Sequence, residues 1–318
     1  MFTDFSSYIP KAVTAPGKRL KKLGTQKIST VEATPVVWQG RLLRFEWVRS
    51  NKWAAGQNGH RELGYYHFVD METEEEVGAP FAFGNAFGCC YEENGVMYVH
   101  GVGNNGAPCN FIDVYYSEDL VNWQTKRALS IPAELSIFNT SVCKDDQGYT
   151  MAIEIDGPKE IVGEKYTIIF AKSKDLLDWE LLPIDKFIYY KESYSACPSI
   201  RYFDGQYYMV YLESLPFERW TPYIVRTPDL LNYEVAIINP FMMFDDDDKK
   251  IIHPERFTEE QIKYINESVD CNNSDVDFCE FEGKTCILYS WGNQRGKEFL
   301  GVAEYDGGLE EFLKSYFK

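Results

Sequence analysis

Acidic side chains at the ends of apolar runs are the residues of this sequence best suited to chemistry. Glu46, Glu154 and Glu213 close the runs LLRFE, YTMAIE and YMVYLE. A carboxylate in that place is costly unless it faces a wet cavity or a partner. Asp275 and Asp277 lie two residues apart, so on a strand they share one face. Carboxyl groups that converge on one pocket can cleave a glycosidic bond: one protonates the leaving oxygen, and another activates water or attacks the sugar.

A repeat of strand-like segments must position these acids. Each repeat has a glycine between two runs of β-forming residues, as in IRYFDGQYYMVYLE, which is typical of a tight hairpin. The glycines recur about every 55 residues, and an insertion at 240–272 lengthens the last interval. The five hairpin glycines are Gly40, Gly95, Gly148, Gly205 and Gly283.

A second repeated motif, [ST]-x-D-L-x-x-[WY], follows the third strand of three repeats. Its aspartates are Asp119, Asp175 and Asp229. Serine or threonine and aspartate side chains bond nearby backbone N–H groups and close turns. We therefore interpret these three aspartates as structural.

The two repeats together predict an all-β fold, a five-bladed β-propeller with four antiparallel strands in each blade. The chain is expected to form a single domain over residues 1–318, with one helical insertion at 254–269. Residues 1–28 and the C-terminal tail are expected to close the ring and cover open sheet edges. The predicted blades span roughly 29–78, 79–132, 133–185, 186–238 and 239–318.

Propeller geometry indicates which polar residues meet. The first strand of each blade lines the axis and runs away from its mouth, and the second strand returns. Starts of first strands and ends of second strands should therefore converge on one face. The residues at these places are Glu32, Asn85, Asn139, Ser195 and 273–277 for the first strands, and Glu46, His100, Glu154, Glu213 and Trp291 for the second.

From this register we predict four catalytic carboxyl groups. Asp275 or Glu32 would act as the base, and Glu154 or Glu213 as the acid, with a pKa raised by its apolar strand. The predicted substrate-binding residues are Glu46, Arg61, His100, Asn139, Asp277, Trp291, Asn293 and Arg295.

The composition limits the classes of molecule that the protein is expected to bind. The 49 acidic and 32 basic residues give a net charge of −17, which disfavours binding to nucleic acid or to an anionic membrane. A neutral carbohydrate is the expected partner, and the sequence leaves the oligomeric state open. No secretory signal is visible, so we expect a cytoplasmic protein whose eight cysteines are reduced.

No cofactor motif appears, and no metal site is predicted. The segment that contains Asp270, Asn272, Ser274 and Asp275 loosely resembles a calcium loop, but it lacks the turn glycine and the terminal glutamate. Calcium at this segment is therefore the weaker alternative.

The repeated glycines and the S-x-D-L-x-x-W turns resemble those of the five-bladed propeller glycoside hydrolases. These include the family 43 arabinanases and xylosidases, the family 32 levanases and invertases, and the family 117 neoagarobiose hydrolases. The resemblance covers nearly the whole chain and implies a glycosidase. The three catalytic acids of family 43 are not retained, because the matching positions carry Thr34, Asn139 and Ala196.

The sequence thus favours a glycoside hydrolase that acts on terminal sugars of oligo- or polysaccharides through carboxyl groups in a central pocket. Two alternatives stay open. A propeller that binds glycans without cleaving them would explain the missing family acids. A glycoside phosphorylase on the same fold would need a basic phosphate site, for which Arg61 and Arg295 are candidates.

Overall fold

Five four-stranded antiparallel sheets surround a central axis in the computed structural model, which describes residues 20–49, 63–103 and 108–317. The predicted five-bladed β-propeller is confirmed. In each sheet the strand nearest the axis is followed outward by its hairpin partner. The innermost strands of neighbouring blades contact one another around the axis.

The strands follow the repeat. The N-terminal strand is β1 (Lys21–Ile28). Blade one contains β2 (Thr34–Trp38), β3 (Arg41–Val48), β4 (Tyr65–Asp70) and β5 (Glu76–Phe81). Blade two contains β6 (Ala86–Glu93), β7 (Val96–Val102), β8 (Phe111–Ser117) and β9 (Gln124–Ser130). Blade three contains β10 (Ser136–Asp145), β11 (Gly148–Asp156), β12 (Thr167–Ser173) and β13 (Trp179–Leu181).

The last two blades differ in how they end. Blade four contains β14 (Ser195–Phe203), β15 (Gln206–Leu215), β16 (Arg219–Thr227) and the short β17 (Glu234–Val235). Blade five contains β18 (Asn273–Phe281), β19 (Lys284–Gly292) and β20 (Glu298–Tyr305), and its fourth strand is β1. The chain therefore closes the ring with a strand from its N-terminal part, which leaves β20 without an open edge.

A buried lysine fastens this closing strand. The ammonium group of Lys22 donates to Asp248 Oδ2 at 2.7 Å and to Asn273 Oδ1 at 2.9 Å. Asp248 also accepts from the hydroxyl of Tyr289 at 2.7 Å. The lysine thus ties β1 both to β18 and to the insertion that precedes it. Because the charges are paired and hydrogen-bonded, their burial is tolerated.

The three aspartate motifs form identical turns. In each, the aspartate Oδ1 accepts from the backbone N–H groups two and three residues later, at 2.7–2.9 Å. The motif leucine has a positive φ, and its carbonyl accepts from the aromatic side chain that ends the motif. The leucine and aromatic pairs are Leu120 with Trp123, Leu176 with Trp179, and Leu230 with Tyr233.

Helices are few and short: α1 (Lys159–Val162), α2 (Glu259–Glu267) and α3 (Leu309–Lys314). Helix α2 is shorter than the predicted 254–269, because Pro254–Arg256 forms a separate 3-10 turn and Phe257 is extended. Its start matches the sequence pattern, since Thr258 and Gln261 form a reciprocal capping box. No helix in the described part of the chain is long and apolar enough to cross a membrane.

Candidate functional site

A backbone irregularity recurs at the mouth end of the innermost strands. The pairing register shifts near the start of β6, β10, β14 and β18. Phe87, Cys197 and Asp275 lie in these shifts with φ of 55°, 48° and 51°, and Glu32, just before β2, has φ of 56°. Such bulges redirect side chains and are common beside functional sites. Backbone strain is thus concentrated in the residues at the mouth of the axis.

These irregular segments enclose a small cavity on the axis. Each blade contributes to its lining, through Glu32, Gly88, Asn139, Cys197 and Asp275 in turn. The cavity measures about 30 Å³, which is room for about one water molecule and too little for a sugar ring.

One amide group links two of the carboxyl groups. The side-chain nitrogen of Asn139 lies 3.3 Å from Glu32 Oε1 and 3.1 Å from Glu154 Oε2. The separation between Glu32 Oε1 and Glu154 Oε2 is therefore no larger than the sum of these two distances. The other oxygen of Glu32 is buried and has no hydrogen-bond partner among the described residues. It is thus a free acceptor in the pocket.

Burial controls the protonation of this pair. It raises the pKa of Glu154 to about 7, and the neighbouring carboxyl of Asp275 adds to the increase, although hydrogen bonds from Cys197 and Asn139 oppose it. Burial and Asp275 also raise the pKa of Glu32 well above its usual range. Glu154 can therefore carry a proton near neutral pH, as a proton donor requires.

Two further groups complete the acidic cluster. The hydroxyl of Ser274 donates to Asp275 Oδ2 at 2.9 Å. The backbone N–H of Cys197 donates to Glu154 Oε2 at 2.8 Å. Burial and the carboxyl groups of Asp275 and Glu154 raise the pKa of the Cys197 thiol well above its ordinary value, so this thiol is a poor nucleophile.

Arg49 balances part of the charge. The charge of Arg49 lowers the pKa of Glu32, against the larger effect of burial. Its guanidinium pairs with Glu298 at 2.7 Å. The Nε atom of Arg49 is buried and has no hydrogen-bond partner among the described residues.

Aromatic rings form a continuous row beside the acidic cluster. Trp47, Phe87, Phe138, Tyr166 and Tyr194 follow one another with ring centroids 4.7, 5.4, 4.9 and 5.7 Å apart. The charge of Glu154 acts on both tyrosines. The last three rings are only partly buried, so they offer apolar faces suited to a sugar ring.

Two predicted glutamates lie away from this cluster. Glu213 bonds the hydroxyl of Ser193 at 2.5 Å, and burial raises its pKa. Glu46 is buried beside Arg44, Lys27 and His67. Burial alone would raise the pKa of Glu46, but the two cations outweigh it and hold the pKa well below its usual range. The structure thus brings together Glu32, Glu154 and Asp275 without Glu46 or Glu213.

His100 and Trp291 are fully buried rather than exposed at the mouth. The Nε2 atom of His100 lies 2.9 Å from the carbonyl of Leu176, in the turn of the next blade. Burial lowers the pKa of His100 to about 4, so it stays neutral. Trp291 stacks on Phe299 at 4.2 Å and donates to Thr25 of the closing strand at 2.9 Å. Both side chains pack between structural elements.

Asp277 lies one level deeper in the axis than Asp275. Its Oδ1 accepts from Arg201 at 2.6 Å and from Ser199 at 2.7 Å. This ion pair crosses from β14 to β18 and joins the innermost strands, and Asp277 also lines the axial cavity.

Asn293 and Arg295, two further predicted binding residues, are peripheral. Asn293 Oδ1 accepts from the backbone N–H groups of Arg295 and Lys297 and so shapes its own loop. The side chain of Arg295 is 67% exposed and pairs with Glu218. Arg61 lies outside the described residues.

The three positions that match the family 43 acids surround the cavity without an acid. Thr34 lines it, Asn139 supplies the bridging amide, and Ala196 is buried next to Cys197. The acids present come from other registers, namely the residue two before Thr34, the end of β11 and the bulge of β18.

Sequence reasoning did not identify Arg49, Cys197 or the aromatic row. Arg49 lies three residues beyond Glu46, at the end of a second strand, where the register rule could have indicated it. No group of three or more histidine, cysteine or acidic side chains in the described ranges is arranged to hold a metal ion.

Comparison with known proteins supports the architecture. No protein-family model matches the sequence, and no curated protein matches it. A solved glycoside hydrolase is 12% identical with a TM-score of 0.64, and the match covers 90% of this chain and 92% of that one. An endo-arabinase of Bacteroides thetaiotaomicron is 11% identical with a TM-score of 0.57, covering 88% and 96%.

A third structure, the family 32 β-fructofuranosidase of Bombyx mori, is 10% identical with a TM-score of 0.52. The match covers 90% of this chain and 62% of the enzyme. These low identities carry the fold and not the activity. The chain has the five-bladed propeller fold of the glycoside hydrolases.

Proposed function

We propose that this protein is a glycoside hydrolase whose reaction takes place at the axial carboxyl cluster. One observation carries the proposal: the single amide of Asn139 lies within hydrogen-bond distance of both Glu32 and Glu154, beside a cavity that Glu32, Asn139 and Asp275 line. Ion pairing alone does not explain this arrangement, because among the described residues the charge of Arg49 acts on Glu32 against two acids, Asp275 and Glu154. Clustered carboxyl groups with displaced pKa values are typical of acid–base sites.

In the proposed mechanism Glu154 is the acid. Its pKa of about 7 allows it to carry a proton at neutral pH and to give it to the leaving oxygen. Burial is the main cause of the raised pKa of both glutamates, and the neighbouring carboxyl group of Asp275 adds to it. We assign to Asp275 the role of base or nucleophile, with Glu32 as its alternate.

In this proposal the cavity binds a water molecule and the aromatic row binds the sugar. A cavity of about 30 Å³ can hold one water molecule between the carboxyl groups. The sugar ring itself must then lie above it, against the half-buried rings of Phe138, Tyr166 and Tyr194. Stacking on aromatic faces would hold the ring without charge, consistent with a neutral carbohydrate.

The test is a screen of aryl glycosides and plant or algal oligosaccharides with purified protein, followed by variants. On a substrate that is turned over, Glu154→Gln and Asp275→Asn should lower kcat by about 10²–10⁴-fold. Glu213→Gln is the matched control, since Glu213 lies apart from the cluster, and it should retain activity. Full activity of both cluster variants would overturn the assignment.

A second function is favoured by a different observation. Thr34 and Ala196 stand where family 43 has acids, and the cavity is smaller than a sugar. These features suit a propeller that binds glycans without cleaving them. Calorimetric binding of an oligosaccharide that is not hydrolysed over days would favour this function over hydrolysis.

Phosphorolysis receives less support. In the described part of the chain, the axial cavity is lined by the carboxyl groups of Glu32, Asp275 and Asp277, and the exposed Arg295 is paired with Glu218. Such a site repels phosphate. We therefore propose that turnover does not depend on inorganic phosphate, which a rate measurement with and without phosphate checks.

A further inference from the structure

Two cysteines face each other on neighbouring strands of blade five. Cys279 of β18 and Cys286 of β19 are directly opposite in the antiparallel register. Both are free thiols, and both are partly exposed. In the described strands no other cysteine lies opposite a cysteine. The pair is therefore distinct from the other six cysteines of the chain.

The hairpin geometry sets the spacing of the pair. A two-residue turn, Glu282–Gly283, joins the strands, and both turn residues have positive φ. Phe281 and Lys284 flank this turn, so pairs alternate from there between hydrogen-bonded and non-hydrogen-bonded. Cys279 and Cys286 are the second pair beyond Phe281 and Lys284, so they too occupy a hydrogen-bonded position. The Cα atoms of such a pair lie ~5.5 Å apart. That separation is within the ~4.4–6.8 Å that a disulfide spans.

The thiols already touch. The hydrogen bond with Cys286, followed by burial, raises the pKa of Cys279 well above its ordinary value, whereas Arg201 opposes the increase. Cys279 therefore stays protonated. Cys286 is the thiol that meets an oxidant, because it lines an open groove between blades five and one.

Both cysteines can be reached from outside. Cys286 lines a groove of about 700 Å³ between blades five and one. This groove shares no lining residue with the axial carboxyl cavity. Cys279 lines a second cavity of about 270 Å³ along the axis, beyond Asp277.

We propose that Cys279 and Cys286 are a redox modification site, at which a peroxide converts the two thiols into a reversible cross-strand disulfide. The Cys286 sulfur attacks one peroxide oxygen, the O–O bond breaks, and the departing hydroxide takes the thiol proton and becomes water. The Cys279 sulfur then attacks the sulfenic acid formed on Cys286 and gives its proton to the departing hydroxyl group. The S–S bond forms and the S–O bond breaks, which releases a second water. Two thiols are oxidised and one hydrogen peroxide is reduced.

The bond is expected to be easily reduced. The Cβ atoms of opposite residues lie ~4.5–5.5 Å apart, and a hydrogen-bonded pair has the larger of these separations. A disulfide needs a Cβ–Cβ separation of ~3.5–4.5 Å. Closing this gap strains the hairpin, and strained disulfides are the labile ones. Glutathione should therefore reverse the modification.

The experiment uses the full chain with hydrogen peroxide, followed by alkylation and peptide mass spectrometry. The expected product is one intramolecular link between the peptides of Cys279 and Cys286, with a loss of two hydrogens and of two titratable thiols. Glutathione should restore both thiols. Cys271→Ser is the matched control, since Cys271 is also partly exposed but unpaired across strands, and this variant should still form the link.

Either single variant, Cys279→Ser or Cys286→Ser, should abolish the link while circular dichroism shows unchanged folding. Separate alkylation of both thiols after peroxide treatment would overturn the proposal. So would a link between two chains, or a sulfinic acid on Cys286 with Cys279 unreacted. If a single variant does not fold, the proposal is still tested by the number of titratable thiols that the chain without substitutions loses on peroxide treatment.

Discussion

The side-chain amide of Asn139 donates to Glu154 at 3.1 Å, and this contact is the centre of the axial cluster. The same nitrogen also reaches Glu32 at 3.3 Å. At the position that matches a family 43 aspartate, this chain thus has the neutral donor that lets two buried carboxyl groups lie side by side.

Asn139→Asp should therefore destabilise the fold. The change removes the shared donor and adds a fourth acid, with an expected loss of about 2–3 kcal/mol in the free energy of unfolding at pH 7. Urea denaturation measures it. Protonation of the new acid should reduce the loss at pH 5, because its folded-state pKa is raised by the neighbouring acids.

Asn85→Asp is the control for that change. Asn85 has the corresponding place before β6, but it donates to the hydroxyl of Tyr115 and the carbonyl of Ala82. A hydroxyl can turn to donate to a new carboxylate, so the cost should be clearly smaller. Equal losses for the two variants would show that Asn139 has no special role.

The pH dependence of turnover should follow Glu154. An acid must be protonated to act, and burial raises the pKa of Glu154 to about 7. On any proven substrate, kcat/KM should hold up to about pH 7 and then fall tenfold for each further pH unit. Initial rates between pH 5 and 9 check this, with a substrate whose leaving group has a low pKa as the control. A fall that begins near pH 5 would assign the acid to an unburied carboxyl group instead.

The fold could be predicted because its repeats depend on local chemistry. Hairpin glycines and aspartate turns are fixed by neighbouring residues, so they are visible in the sequence. The site was harder, because the end of a strand does not determine what its side chain meets. Glu46 has Arg44 two residues earlier on the same strand face, and the closing strand adds Lys27. Glu154 has Ala152 at the matching place and no cation, so it stays in the acidic pocket.

Other site features depended on long-range packing. His100 is buried because the turn at Leu176 in the next blade covers it. Asp275 lies in the bulge of β18 and Glu32 lies just before β2, and both reach the neighbourhood of Glu154 through backbone with positive φ. Neither the covering turn nor the bulges leave a distinct residue pattern, whereas the register rule alone was enough to suggest three of the clustered carboxyl groups.

The turn aspartates should affect stability and not activity. Asp175 accepts from the backbone N–H groups of Leu177 and Asp178 at 2.9 Å, and Asp175→Ala should cost about 1 kcal/mol. Thermal unfolding checks it. Asp178→Ala, in the same turn, removes only an exposed ion pair with Lys126 and should change little. Loss of activity in Asp175→Ala at unchanged thermal stability would contradict the structural role.

Asp270 should make the protein less stable as the pH rises. Burial and the adjacent Asp248 raise the pKa of Asp270 to about 8, whereas an aspartate in the unfolded chain titrates near ~3.9. Between these values the folded protein holds a proton that the unfolded chain has released. The free energy of unfolding therefore falls as pH rises from about 4 to about 8. Asp270→Asn should remove this dependence, because its amide can donate to Asp248 at every pH. The variant should unfold several degrees above the unchanged protein at pH 8–9, with a smaller difference at pH 5.

Asp306→Asn, an exposed substitution of the same kind, is the control and should leave the pH dependence of the free energy of unfolding unaltered. Parallel stability curves for Asp270→Asn and the unchanged protein would show that Asp270 does not carry the proton.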